Sequence, residues 1–305
     1  MTTGKNQSDS TLLSTGIPGM DAILSGGLTR DRLYLVEGEP GTGKTTMALH
    51  FLAEGARLGE SVVYITLAET AVELRDVAKS HGWTMEGIHI HEVVPSEDIL
   101  GPEQQYTMFH PSEVEMGTTM QSILAAIDER KPTRVVLDSL SELQLLADSS
   151  LRYRRQVLAL KRFFSNRSCT VMFLDDRTAF NGDLQVRSIA HGVIVLEQAT
   201  KDYGTERRRV RIVKYRGVAF RGGMHDYAIV HGGLVVYPRL VASDTRAAGE
   251  WMQLKTGLDA LDDLVGGGLE EGSSTLIAGP PGTGKSSLAV QIAHAALQRG
   301  EQATM

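Results

Sequence analysis

Eight residues, Gly38-Glu39-Pro40-Gly41-Thr42-Gly43-Lys44-Thr45, set glycines, one lysine and a final hydroxyl at fixed spacing. The pattern G-x-x-x-x-G-K-[ST] is that of a phosphate-cradling loop. Glycines let the backbone curl without Cβ clashes, so successive N–H groups point inward at an anion. Lys44 is placed to bridge the outer phosphates, and the Thr45 hydroxyl to ligate Mg²⁺. The flanks agree. Leu33–Val36 is a short apolar run of β type, and Thr46–Leu52 has the spacing of a helix, whose N-terminus adds partial positive charge. The chemistry is that of a nucleoside triphosphate.

Two carboxylates belong with such a loop. Asp138 closes the apolar run Arg134-Val135-Val136-Leu137, where a Walker B aspartate holds the Mg²⁺ shell. Hydrolysis also needs a group that orients or deprotonates water. Glu69, just beyond the strand-like Ser61–Thr66, is a candidate for that base, and equally for a solvated N-cap or first-turn carboxylate of the next helix. The run Arg207–Gly217 alternates like a strand and admits three readings. It is a charged edge strand that resists aggregation, a cation pair given to a neighbour's γ-phosphate, or a contact for nucleic-acid backbone. Strict alternation puts Arg207, Arg209 and Arg211 on one face, and Lys214 with Arg216 on the other.

These residues need a scaffold. Thr15–Leu28 reads as a short helix between turns, and Ala71–Ser80 as a helix stopping near Gly82. Ile88–Val94 is a strand, and Pro95–Pro111 is a long connection without clear period. Val114–Arg130 and Leu151–Phe164 are helical, and Thr170–Leu174 is a strand with Asp175-Asp176-Arg177 at its exit. The remainder is β-rich, at Gly192–Leu196, Arg207–Tyr215, His225–Val230 and Leu234–Tyr237. Alternating strands and helices imply an α/β fold: a mainly parallel sheet with helices on both faces and an antiparallel C-terminal extension. In such sheets ligands bind at the carboxyl ends of the strands, where the loop, Glu69, Asp138 and Asp175 all fall.

A second loop, Gly279-Pro280-Pro281-Gly282-Thr283-Gly284-Lys285-Ser286, starts 241 residues after the first. The same offset aligns Thr15-Gly16 with Thr256-Gly257, Asp21 with Asp262, Gly26-Gly27-Leu28 with Gly267-Gly268-Leu269, and Gly59-Glu60 with Gly300-Glu301. An ungapped match of this kind indicates a tandem duplication. The last residues fall inside what should be a strand of the second copy, so the chain reads as a truncated piece of a longer protein. The expected division is a disordered tail over 1–14, a first domain over 15–240, a linker over 241–254 and the start of a second domain over 255–305.

Composition narrows the class further. With 305 residues, 42% hydrophobic and 22% charged, this is ordinary globular material, and the formal charge of −6 argues against broad adhesion to nucleic acid. Cys169 stands alone in an apolar run and reads as a structural thiol. No apolar run approaches membrane-spanning length and the polar first ten residues are no signal peptide, so the expectation is a cytoplasmic protein.

In combination, TGIPGMDAILSGGL, both loops, ITLAET, KSHGW, RVVLDSLSEL and RRRVRIVKYRG resemble the KaiC-like ATPases of the RecA/RadA superfamily. The resemblance runs from Thr15 to the C-terminus. It implies RecA-like P-loop NTPase domains, ATP and Mg²⁺ as ligands, and homohexameric rings with ATP at subunit interfaces. It implies phosphate contacts from Gly38 and from Gly41, Thr42, Gly43, Lys44, Thr45 and Thr46, with Ser80 near the nucleoside. Lys214 and Arg216 would then reach the nucleotide of an adjacent protomer. In the second copy Gly282, Thr283, Gly284, Lys285, Ser286 and Ser287 would be nucleotide contacts. The complete two-domain form would be capable of Ser/Thr autokinase activity. Where the family pattern has adjacent glutamates, this chain has Ala68-Glu69. Two alternatives to a ring-forming regulatory ATPase therefore stand: a nucleotide-gated assembly module with negligible turnover, and a RadA-like DNA-processing ATPase.

Overall fold

The computed structural model describes residues 11–93, 111–147, 149–176, 184–199, 204–240 and 252–304. The first ten residues, most of the Pro95–Pro111 connection, Arg177 and most of the expected linker lie outside the described residues. The chain divides into two compact units, Met1–Arg239 and Leu240–Met305.

In the first unit, chain order runs β1 (Leu12–Leu13), α1 (Pro18–Ile23), β2 (Leu28–Thr29), β3 (Leu33–Gly38), α2 (Lys44–Arg57), β4 (Val62–Thr66), α3 (Ala71–Ser80) and β5 (Ile88–Glu92). It continues with α4 (Pro111–Arg130), β6 (Arg134–Asp138), α5 (Leu140–Leu145), α6 (Ser150–Ser165), β7 (Thr170–Asp176) and α7 (Leu184–Ile189). It closes with β8 (Gly192–Ala199), β9 (Arg207–Tyr215), β10 (His225–Val230) and β11 (Gly233–Tyr237). Leu12–Leu13, expected in the disordered tail, pair with β2 because Leu13 buries its side chain.

Nine strands form one sheet in the order β11-β10-β9-β8-β3-β7-β6-β4-β5. The pairs from β8 to β5 are parallel, and β8-β9, β9-β10 and β10-β11 are antiparallel. Alternation along β3 divides the interior in two. Tyr34 and Val36 enter a core with Met47 and Leu52 of α2 and Leu74 of α3. Leu33 and Leu35 enter the opposite core, with Ile123 of α4, Leu143 of α5 and Val157 of α6. Burial on both faces is what βαβ crossovers produce.

Two expectations for the basic run change. β9 is not an edge, since it lies between β8 and β10. A β-bulge breaks its alternation: Ile194 faces Ile212 but Val193 faces Lys214, leaving Val213 as the extra residue. One inserted residue re-aims everything beyond it. Val210, Ile212 and Tyr215 therefore all enter the α2-side core, and Lys214 falls on the same face as Arg209 and Arg211 rather than the opposite one.

The second unit holds β12 (Gln253–Leu254), α8 (Asp259–Leu264), β13 (Leu269–Glu270) and α9 (Lys285–Gln298). It repeats local detail of the first. Asp21 accepts from the Thr15 N–H at 2.9 Å, and Asp262 from the Thr256 N–H at 2.9 Å. The counterpart of β3, around Leu276, is not a strand: no sheet stands beside it among the described residues of this unit, and Leu276 is 89% exposed.

Candidate functional site

The loop after β3 is bent as its glycines allow. Gly41 and Gly43 sit at φ +82° and +92°, a region that disfavours any Cβ. A Cβ on Gly38 would stand 2.4 Å from Thr42 Oγ1, and one on Gly43 2.7 Å from Ile229 Cδ1. The Thr42 hydroxyl donates to the Glu39 carbonyl at 2.7 Å and so ties the loop across itself. From Lys44 onward the chain is helical, with the free N–H groups of α2 facing the cradle.

A cavity of about 360 Å³ opens over this loop, lined by Gly41, Gly43, Lys44, Thr45, Thr46, Glu69, Asp138 and Asp176, with Val77 and Ile229 on its apolar side. Register explains the convergence. β3, β7, β6 and β4 run parallel, and Gly38 is level with Asp176 and Thr66 with Asp138. Asp138 accepts from the Tyr64 hydroxyl at 2.5 Å, and the Thr45 side chain lies near enough to hold its carboxyl down. The two groups expected at Mg²⁺ are thus already neighbours. Among the described residues no group of three or more metal-ligating side chains occurs.

Glu69 is held by its backbone. The Thr66 hydroxyl donates to the Glu69 carbonyl at 2.7 Å and accepts from its N–H at 3.0 Å. Thr70, not Glu69, caps α3, in a reciprocal capping box with Glu73. The Glu69 side chain is thereby free to face the cavity. Its Oε2 is buried without a hydrogen-bond partner. Burial first, then the charges of Asp138, Glu73 and Asp176, push the Glu69 carboxyl above its ordinary value. Burial also raises Asp138, against the lowering effect of the Tyr64 hydrogen bond. Ala68 is exposed, so the missing acid of the Ala68-Glu69 pair lies at the exposed position and the retained one lines the cavity.

The remaining candidates stand elsewhere. The Ser80 hydroxyl donates to the Val77 carbonyl at 2.7 Å, at the end of α3, one turn beyond the cavity-lining Val77. Lys214 Nζ donates to the carbonyls of Arg187 at 2.7 Å and Ser188 at 3.1 Å, and Arg216 Nη2 to Ser188 at 2.7 Å. They flank Tyr215, which is level with Gly192 and hence with Tyr34. That is the amino end of β3, four residues or about 13 Å below Gly38. Burial and the charges of Arg216 and Lys161 hold the Lys214 ammonium below its usual range. Arg207 and Arg209 meet Asp226, Arg208 meets Glu206 and Arg211 meets Glu197. Each of the four faces a carboxylate, which weakens the nucleic-acid reading.

Sequence reading put Asp175 at the ligand end of β7, and alternation gives that place to Asp176. Asp175 turns to the other face and accepts from the Ser141 hydroxyl at 3.0 Å, whereas Asp176 Oδ1 reaches Lys44 Nζ at 2.6 Å. Register makes the distinction: Leu174 pairs with Val36 and Asp176 with Gly38. In the second unit, Gly282 and Gly284 keep φ +82° and +85°, and Lys285 heads α9 as Lys44 heads α2. Thr283, Ser286 and Ser287 follow in the same order as in the first loop.

Loop, carboxylates and strand order define a RecA-like P-loop ATPase domain. The chain belongs to the KaiC ATPase family, whose model, described as ATPase: KaiC, matches residues 13–241 and 254–305. It is 27% identical over 295 residues to circadian clock protein KaiC3 of Synechocystis sp., covering 95% of this chain and 58% of that one. It is 27% identical over 233 residues to a UPF0273 protein of Thermotoga maritima, covering 74% of this chain and 96% of that one. Among solved structures, a KaiC-like protein from Pyrococcus horikoshii OT3 superposes with a TM-score of 0.62 at 27% identity, covering 74% of this chain and 99% of that one. The chain spans little more than half the length of the clock proteins it matches. No described helix is long and apolar enough to cross a membrane.

Proposed function

We propose that the first unit binds ATP with Mg²⁺ at the Gly38–Thr45 loop and hydrolyses it, Glu69 serving as the base, within a homo-oligomeric ring. The observation that carries the reading is that Glu69, whose buried Oε2 has no hydrogen-bond partner, lines the same cavity as Lys44, Thr45 and Asp138. The backbone cradle and Lys44 would take the triphosphate, and Thr45 with Asp138 would hold the ion, which neutralises charge on the outer phosphates. Glu69, desolvated and raised, is suited to accept a proton from water. Lys214 and Arg216 stand outside the cavity over this loop, which favours their service to an adjacent protomer. Regulatory or signalling use, a hexameric ring and autokinase activity of a complete two-domain form follow from the family and are proposals of the same kind. Phosphate release by wild type, Lys44→Ala and Glu69→Gln tests the reading: both variants should lose turnover, and equal rates in all three would overturn it.

The second reading, nucleotide-gated assembly with negligible hydrolysis, draws on Ala68. It predicts ATP-dependent oligomerisation with no phosphate release. The exposure of Ala68 and the placement of Glu69 favour the first.

A further inference from the structure

Lys44 has three N–H donors and three acceptors. Its Nζ reaches the Gly38 carbonyl at 3.0 Å, the Glu39 carbonyl at 3.1 Å and Asp176 Oδ1 at 2.6 Å. Two of these belong to the loop itself. Lys285 makes the same pair, to the carbonyls of Gly279 and Pro280 at 2.8 Å each, and has no carboxylate in ion-pair reach among the described residues. The third partner is supplied by the sheet, because β7 runs beside β3 and brings Asp176 level with Gly38. It is the shortest of the three contacts and the only charged one, so it is the strongest competitor for the ammonium. Asp176 also shares the cavity with Glu69 and Asp138, and its charge raises both carboxyls. Any outer phosphate that bonds Lys44 must take one of three used directions, and the anionic partner is the one a phosphate replaces in kind.

We propose that Asp176 is a positioning residue that latches Lys44 toward β7 and is displaced from it by the outer phosphate of the nucleotide. This rests on the nucleotide-loop reading given above. The latch keeps the lysine pointed along the loop and sets a threshold for nucleotide entry, since binding must break one ion pair while making another. Asp176→Asn keeps a hydrogen-bonding group beside Lys44 and removes the charge. It therefore binds ATP more tightly, by about two- to fivefold, the scale of a partly exposed ion pair. A residue with a merely structural role would move affinity the other way. Because the latch is released both in the complex and in the transition state, its loss lowers KM.

The experiment is titration calorimetry with Mg²⁺–ATP on the full chain, comparing wild type, Asp176→Asn, Asp176→Glu and Lys44→Ala, with circular dichroism to confirm folding. Tighter binding in Asp176→Asn with near wild-type binding in Asp176→Glu is the expected result. Unchanged or weaker binding by a folded Asp176→Asn overturns the latch. If Asp176→Asn does not fold, Asp176→Ser carries the same comparison. Undiminished binding by Lys44→Ala overturns the nucleotide-loop reading instead, so the two failures are told apart.

Discussion

The guanidinium of Arg134, fully buried, meets the Glu60 carboxylate at 2.5 Å. Its other contacts are the carbonyls of Ser14 at 2.8 Å and Phe51 at 2.9 Å, with the Phe51 ring 4.9 Å beneath it. The pair thus fastens the start of β6 to the turn after α2, and the Phe51 carbonyl ties it to the middle of that helix, which opens at the Gly38–Thr45 loop. Removing one partner of a buried pair leaves the other charge uncompensated, which costs about 3 kcal/mol or more. Glu60→Gln should lower unfolding stability by that order in urea denaturation followed by circular dichroism. Undiminished stability would show that the guanidinium is satisfied by the two carbonyls alone.

Glu69 carries an opposite expectation. Its folded-state carboxyl is raised, by burial first and by Asp138, Glu73 and Asp176 after it. A raised acid binds its proton more tightly in the native state, so stability falls as pH rises from the ordinary value of 4.5 through the folded one. Above that window the full cost is present. Glu69→Gln should therefore melt at a higher temperature than wild type at pH 7 to 8, with the two converging below pH 4.5, while turnover is lost. A lower melting temperature at neutral pH would place Glu69 among the stabilising residues and against a role as base.

His50 gives the third expectation. Its Nε2 accepts from the Leu234 N–H at 2.8 Å, and its ring lies edge-on to Trp83 at 4.5 Å. Burial, then the nearby His81, lowers it from 6.5 to about 4. A depressed base contributes stability that is present above its unfolded value and lost as pH falls from 6.5 toward 4. At 1.36 kcal/mol per unit the loss is about 3 kcal/mol. His50→Gln, which keeps an acceptor and cannot titrate, should flatten the stability profile across that interval. An equally steep profile would assign the acid sensitivity to other groups.

How far the sequence reached can be read residue by residue. The loop, Asp138 and the ends of α3 and β9 were legible because each is set by local signals: glycine spacing, an apolar run, a capping box, a stretch of β-type residues. The failures share a different cause. Asp175 and Asp176 are told apart only by the register of β7 against β3, a contact between residues more than 130 positions apart. The face of Lys214 depends on a bulge that no composition announces. α5 and α7 are six residues each, too short for periodicity to show.

The placement of Lys214 and Arg216 makes the last prediction. Lys214 is level with Leu35 of β3, Arg216 lies beyond it on the side away from Gly38, and both hold carbonyls of α7. Neither residue lines the cavity over the Gly38–Thr45 loop of its own protomer. If they act on phosphate, they act on a neighbour's. A cation supplied in trans contributes on the order of 10³-fold or more to phosphoryl transfer, so Arg216→Ala should bind ATP as wild type does and release phosphate far more slowly. Lys44→Ala should fail at binding yet keep an intact Arg216. Mixed, the two variants form interfaces in which an Arg216 from one meets a Lys44 loop from the other. Phosphate release should then rise with mixing ratio above the sum of the separate samples. A mixture no more active than its parts, with co-assembly shown by sizing, would confine the chemistry to single protomers and remove the ring from the mechanism.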